Sequence, residues 1–351
     1  MAMEFYVVDG NLDVIGIIDA YKSAIWTERY YEPGDFELYV AATQEAVALI
    51  RKHLFLVRMD NVSKAMVIET IKLSTDAENG DYLTVSGRSL SSILSRRIIW
   101  KQTTYSGQLE KAVRRMIADS FVDPEDADRT VSFFELGEEA GITDEIKVQY
   151  AGEVVQEAIE NVCRPKKIGY ECLMDLSRKK ITFRLYEGKD RSYNQTANPF
   201  VVFSPKFDNL LSSSYSNSDA KLKNVAQVAG EGEGTARKKV TVGTASGLER
   251  YETFVDAKGQ STNDGEITES TYAELLEQKG LERLAALATT EKIDSEVAPN
   301  YSYKVNEDYF LGDVVEVINE YGIAMTPRVV EVIECQNDAG YTCIPTFSAD
   351  E

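Results

Sequence analysis

The sequence predicts an α+β chain, rich in strands and divided into several domains, and three observations carry that class. The stretch Asp81 to Ile99 begins as an alternating strand, with Leu83 and Val85 set between Thr84 and Ser86, and changes at Gly87 to the helical spacing of Leu90, Ile93, Leu94, Ile98 and Ile99. Ahead of it, Val67-Ile-Glu-Thr-Ile-Lys-Leu73 and the turn Glu78-Asn-Gly-Asp81 complete a hairpin, because Asn-Gly readily supplies the positive φ of a tight turn. The same unit is echoed near the C-terminus by Val329-Val-Glu-Val-Ile333, the turn Asn337-Asp-Ala-Gly340 and the run Tyr341 to Phe347. Strands Leu54 to Met59 and Asp313 to Ile318 precede the two hairpins, with Ala65-Met66 and Ala324-Met325 in comparable places. We read a degenerate duplication of one small antiparallel β unit; chance similarity of two hairpins is the plainer alternative.

Phe5 to Leu12 and Val14 to Ile18 read as strands around Asp9-Gly10, and Ala24 to Val40 as two aromatic-rich strands around Pro33-Gly34. Thr43 to Lys52 is a short amphipathic helix capped by Thr43, with Ala46, Val47, Leu49 and Ile50 on its apolar side. After Trp100 the character changes. A helix runs from Ser106 to Phe121 with Leu109, Val113, Met116 and Ile117 inward, and Pro124 to Arg129 is a charged connector. A second helix, Glu153 to Cys163, turns Val155, Ala158, Ile159 and Val162 inward and closes at Arg164-Pro165. Strands Gly169 to Leu176 and Lys180 to Tyr186 flank the turn Ser177-Arg-Lys179.

Beyond Pro199, Phe200 to Phe203 and Lys223 to Ala229 are strands separated by a serine-rich loop, and Lys239 to Val242 and Arg250 to Val255 resume the sheet. Thr271 to Thr290 forms a long helix with Tyr272, Leu275, Leu276, Leu281, Leu284 and Leu287 near one face and an interruption at Gly280. Tyr301 to Phe347 is the second copy of the β unit. The expected division is 1–100, a β domain with short helices; 101–195, a small α+β domain; and 196–351, a second β domain with a helix near 271–290.

The 351 residues provide ample length for a hydrophobic core, and no apolar run approaches the roughly 20 residues that span a bilayer. Met1 to Val8 has neither the basic start nor the apolar stretch of a signal peptide, so synthesis in the cytoplasm is expected. A net charge of −20 repels a phosphate backbone, which argues against a sequence reader or nucleic-acid enzyme while permitting a channel that DNA passes without sticking. Cys163, Cys172, Cys335 and Cys343 lack the close spacing of a zinc or redox site. Free buried thiols are expected, although Cys335 and Cys343 flank the last turn and a disulfide between facing strands is geometrically thinkable there.

The sequence nominates no catalytic residue, no cofactor-binding residue and no metal ligand. The single histidine, His53, sits at the end of a helix beside an apolar strand, where packing or a helix-terminal role accounts for it. Gly230-Glu-Gly-Glu-Gly-Thr-Ala-Arg237 is the most unusual composition; Glu231 and Glu233 inside it, with no helix obviously following, favour a β loop over a phosphate cradle. The 19 tyrosines fit sheet packing better than sugar stacking.

Three groups of motifs, in this order, resemble the hub proteins of phage tails, especially the ReqiPepy-type siphovirus tail family and the broader baseplate-hub fold. They are Tyr82 to Ile98; Gly230 to Gly234 with Glu249 to Asp256; and Tyr309 to Val315 with Arg328 to Val332. The resemblance covers nearly the whole chain. It implies two related antiparallel β-barrel tube domains with an intervening α+β domain outside the ring, and a homotrimer of pseudo-sixfold symmetry that matches a hexameric tail tube to a trimeric tip. It further implies a non-enzymatic virion component without cofactors, assembled in the host cytoplasm, with tail-tube and tail-fibre proteins as partners and DNA as a passive passenger. Larger relatives of such hubs continue into a hydrolase or fibre region, whereas this chain ends at Glu351, so lytic or receptor-binding activity is expected on another chain. The alternatives from other classes are a carbohydrate-binding tail adhesin and a wall-degrading tail enzyme.

Overall fold

The structure, a computed structural model, describes residues 3–76, 80–262, 265, 267–297 and 303–349. Glu78 and Asn79 of the expected turn, and Tyr301 at the start of the second unit, lie outside them. The N-terminal unit contains β1 (Phe5–Val8), β2 (Val14–Ile18), β3 (Ser23–Arg29), β4 (Asp35–Ala41), α1 (Gln44–Leu49), β5 (Phe55–Arg58), β6 (Ala65–Asp76) and β7 (Gly80–Ser89). Alternation sets its faces: Ala24 and Trp26, Phe36, Leu38 and Val40, and Leu83 and Val85 turn into one core with Phe5, Val7, Leu56 and Met66. Thr43 caps α1 by accepting from the Ala46 amide at 3.1 Å. β7 continues into a 3₁₀ helix, Leu90–Arg96, that buries Leu90, Ile93 and Leu94. The helical spacing does not extend to Ile99 as expected, because the backbone there bonds outward: Ile99 N–H to Glu153 and Val155 N–H to Arg97.

The middle of the chain forms β8 (Thr103–Gln108), α2 (Leu109–Ile117), β9 (Phe134–Leu136), β10 (Glu145–Tyr150), α3 (Val155–Cys163), β11 (Gly169–Asp175) and β12 (Lys180–Tyr186). The expected inward faces of α2 and α3 are buried. Ser106 does not start a helix, however; it lies in β8 opposite Lys147, and the chain turns helical only where β10 no longer pairs it. The buried Glu110 of α2 accepts from the amides of Ala140, Gly141 and Ile142 at 2.6, 2.9 and 3.0 Å, holding the following loop.

The remainder comprises β13 (Val202–Phe203), β14 (Leu210–Ser218), β15 (Val225–Ala229), β16 (Lys239–Val242), β17 (Glu252–Asp256), α4 (Glu269–Ala285), β18 (Thr290–Val297), β19 (Glu316–Ile318), β20 (Ala324–Met325), β21 (Arg328–Asn337) and β22 (Gly340–Ser348). Two expectations are corrected. The serine-rich segment is strand β14, because β18 pairs with it from Leu210 to Ser218. Gly280 does not interrupt α4; a Cβ there would come 2.5 Å from Val242 Cγ2, so glycine lets the helix lie against β15 and β16. The helix ends at Ala285, leaves Leu281 exposed, and Thr290 already belongs to β18. Strands β15 to β17 and α4 share a small core of their own and lean on β10, through Lys147 to Glu274 at 2.6 Å and Lys279 over the Tyr150 ring at 4.2 Å.

Eleven strands join in one antiparallel sheet, in the order β14-β18-β22-β21-β3-β4-β7-β6-β5-β1-β2. Among the described residues its pairing is open at both ends and traces no closed barrel, so the two expected barrels are instead two related halves of one sheet. Strands β3-β4-β7-β6 and β14-β18-β22-β21 follow the same order, which is the duplication in structural form. Each hairpin carries a bulge early in its first strand, between Ile68 and Thr70 and between Val329 and Glu331. Leu56 and Val57 pair with Met66 and Ala65 as Val317 and Ile318 pair with Met325 and Ala324. Matching the bulges makes Thr70 equivalent to Glu331, one residue away from the literal alignment of Glu69 with Glu331. Side-chain direction agrees, since Ile71 and Val332 then both face a core.

Candidate assembly surfaces

The seam between the two repeats is the β21–β3 ladder, from Glu331 opposite Arg29 to Asn337 opposite Ser23. Charged side chains reinforce it from both faces. Arg29 Nε donates to Glu331 Oε2 at 2.6 Å and also pairs with Asp35 at 2.6 Å. On the core side the buried Arg58 donates to Glu334 at 2.6 Å and to Asp60 at 2.6 Å, with its guanidinium 5.8 Å from the Trp26 ring centre. Tyr341 Oη donates to the other Glu334 oxygen at 2.9 Å. Burial alone would lower the Arg58 pKa, but the two carboxylates prevail and raise it. Lys64 bridges Glu28 at 2.8 Å and Glu171 at 3.0 Å, tying the seam to β11. Burial pushes Glu171 up, yet Lys64 and Arg184 hold it below its ordinary 4.5.

Tyr30 marks the point where both repeats and the α+β part meet. Its hydroxyl lies 3.0 Å from the Lys167 carbonyl and 3.2 Å from that of Tyr186, and burial pushes its pKa up to about 12. Gly169 and Gly312 lie against its ring, where an added Cβ would come within 2.2 and 2.3 Å. Nearby, the buried Arg191 donates to Asp313 at 2.5 Å.

On β4 and β7 the sheet face opposite the core is polar, whereas on β5 and β6 Phe55, Val57, Ala65 and Val67 turn it into the core of the α+β part. Tyr39 stacks on Tyr82 at 4.5 Å, and Arg88 grips Glu69 through two bonds of 2.8 and 2.9 Å. Arg88, followed by burial in the opposite sense, lowers the Glu69 pKa. At the sheet's edges the situation differs. β14 pairs with β18 alone, and β6 meets β5 only through Ala65 to Val67, leaving its edge beyond the bulge without a strand among the described residues. Leu73 on β6 and Tyr215 on β14 are 55% and 36% exposed.

The residues weighed in the sequence are dispersed. His53 is exposed with φ +70° in the turn beyond α1, whose C-cap is Ile50, and its amide donates to the Ile68 carbonyl at 2.8 Å, so it neither packs nor ends the helix as expected. In the glycine-rich loop Arg237 donates to the Gly230 carbonyl at 2.7 Å and also pairs with Asp256, while the Glu231 carboxylate accepts from Thr262 N at 3.2 Å. The loop's one arginine is thus directed at the loop itself. All four cysteines are free. Cys335 faces Thr342 while Cys343 faces Glu334, so the two thiols fall on opposite faces of the hairpin. Among the described residues no group of three His, Cys, Asp or Glu side chains is placed to hold a metal ion, and no helix is long and apolar enough to cross a membrane. Arg58–Glu334, Lys64–Glu171 and Arg191–Asp313 were not visible in the sequence; each joins residues more than a hundred positions apart, and only the duplication hinted that such a seam exists.

Similar folds occur among solved structures of tail proteins. The tail protein from Neisseria meningitidis MC58 matches with a TM-score of 0.60 at 13% identity, over 100% of this chain and 97% of that one. The prophage MuSo2 43 kDa tail protein from Shewanella oneidensis gives 0.61 at 11%, over 99% and 98%. The prophage tail protein gp18 from Listeria monocytogenes EGD-e gives 0.52 at 13%, over 100% and 95%. No curated protein matches. The fold is shared with these tail proteins, and the family pattern that the chain matches places it among phage tail proteins. Within that class it belongs to the siphovirus ReqiPepy6 Gp37-like protein family, whose pattern it matches over residues 4–347.

Proposed function

We propose that the chain is the structural hub subunit of a tail tip, in which three copies form a pseudo-sixfold ring that joins the tail tube to the tip proteins below. The observation that carries this reading is the sheet itself: two repeats run head to tail in one continuous pairing order, and three such chains supply six repeats. A strand edge left open favours addition of another strand, and closure of a ring removes the edges. In this reading residues 101–195, together with the β15–β17 and α4 excursion that leans on them, stand outside the ring and receive neighbouring tip or fibre proteins. The central opening passes DNA, and the net charge of −20 disfavours its retention. The chain works by holding parts together, without covalent chemistry, as a component of the virion tail.

Antibody against the purified chain, applied to intact tails and viewed by electron microscopy, tests this. A single label at the distal end of the tube is expected. Label along the whole tube, or at the head-proximal end, would contradict the hub reading.

A further inference from the structure

The two repeats can be aligned rung by rung across four strands. In the N-terminal repeat Ile68 faces Gly87, Gly87 faces Phe36, and Phe36 faces Trp26. In the C-terminal repeat Val329 faces Phe347, Phe347 faces Ile293, and Ile293 faces Tyr215. Each rung starts immediately before the bulge of its hairpin. Tyr215 is therefore the structural equivalent of Trp26, β14 of β3, and β6 of β21. The strand pair β21–β3, which joins the repeats inside one chain, has no counterpart for β6 and β14.

Resting on the hub reading, we propose that the open edge of β6 pairs antiparallel with β14 of a second copy of this chain, repeating between chains the β21–β3 seam and its register. The register follows directly. Within the chain Glu331 faces Arg29 and Glu334 faces Trp26. Carried to the equivalent positions, Thr70 faces Ser218, Lys72 faces Ser216, and Leu73 faces Tyr215. The last pair supplies an independent check, because Leu73, the exposed large apolar side chain of β6, is brought opposite the exposed Tyr215 ring of β14, on the face that continues the Trp26 and Phe36 layer.

The β14 edge is permissive, and on β6 the proposed register sets Lys72 against the uncharged Ser216. Sheets commonly block unwanted strand addition with charges along the edge, yet β14 reads LLSSSYSNS and has none. Both edges belong to the same chain and differ from one another, so the contact is heterologous and generates a ring when the rotation closes. Eight strands per copy take part, from β14 to β6 in the sheet order. At about 4.8 Å per strand, three copies give a circumference of about 115 Å and a backbone diameter of about 37 Å before strand tilt widens it. That opening admits a DNA duplex.

Directly opposed strand positions have Cα separations that suit a disulfide. The test uses the full chain carrying Cys335→Ser, to silence the partly exposed thiol, with Leu73→Cys and Tyr215→Cys placed either on separate chains or on one chain. Under mild oxidation, mixed single variants are expected to give covalent dimers, and the double variant a closed covalent trimer. Leu73→Cys with Ser218→Cys, about 10 Å out of register, is expected to cross-link at least tenfold less. All sites are exposed, and circular dichroism checks folding. Rings seen by negative stain without the Leu73–Tyr215 cross-link, or an equally efficient out-of-register control, would overturn the pairing and leave the hub reading standing. Cross-linked chains that never close would uphold the pairing and overturn the threefold ring. Neither rings nor cross-links at high concentration would overturn both.

Discussion

At the seam inside the chain, Trp26 is 1% exposed beneath the Arg58 guanidinium, and Glu334 opposite it is buried and paired. At the equivalent places on the open strands, Tyr215 and Leu73 are 36% and 55% exposed and carry no charge. One backbone arrangement thus appears twice, once completed within the fold and once left open. On the proposed pairing between copies, the difference follows from when each contact forms. A seam made once, as the chain folds, tolerates buried ion pairs whose desolvation is offset only by good geometry. Strands that must stay soluble alone and then pair with another copy are better served by serines, threonines and one apolar contact, which carry little desolvation cost. β14 has that composition, and β6 beyond its bulge mixes Thr70, Ser74 and Thr75 with Ile71, Leu73, Lys72 and Asp76.

The comparison can be broken hardest at the seam. Trp26→Ala empties a fully buried indole site and is expected to cost about 3–5 kcal/mol, read as a lower denaturant midpoint; Tyr215→Ala at the equivalent position is expected to stay within about 0.5 kcal/mol in the isolated chain. Equal losses at the two positions would refute their different roles. Glu334→Ala leaves Arg58 buried with only Asp60, and a loss of about 3 kcal/mol is expected, at the low end for a broken buried pair because that second carboxylate remains.

Acid provides a third, smaller perturbation. The Glu171 pKa is lowered in the folded chain, so its contribution is present above 4.5 and is lost as pH falls through the depressed value. Glu160, on α3, is raised by burial, so its ionisation opposes folding and its protonation at falling pH favours it. Hydrogen exchange measured between pH 6 and pH 3 is therefore expected to loosen β11 and the seam before α3. Loss of α3 protection first would contradict this assignment. The smallest effect on the isolated chain belongs to Leu73→Asp, expected to leave stability within about 0.5 kcal/mol while abolishing assembly.

Much of the fold was legible because it follows local rules. Alternation placed Leu83 and Val85, Thr43 announced a helix, and the hydrophobic faces of α2 and α3 were readable from spacing. The duplication was visible too, though the literal match of Glu69 with Glu331 is offset by the bulges, which sequence does not mark. What escaped was decided by partners far away. The serines of β14 have little strand preference of their own and become a strand because β18 pairs with them; β18 carries charged residues, with Ile293 and Val297 as buried anchors. Gly280 looks like a helix breaker until Val228 and Val242 are seen against it. No candidate chemical site was read from the sequence, and the assembly edges could not be, since an edge is defined by the strand that is missing.

The most direct test of the account is the mass of the purified full chain by light scattering, with the same sample imaged by negative stain. Three chain masses and a ring with a central opening and six peripheral repeats are predicted. A compact monomer, or a closed dimer without an opening, persisting at high concentration would contradict it.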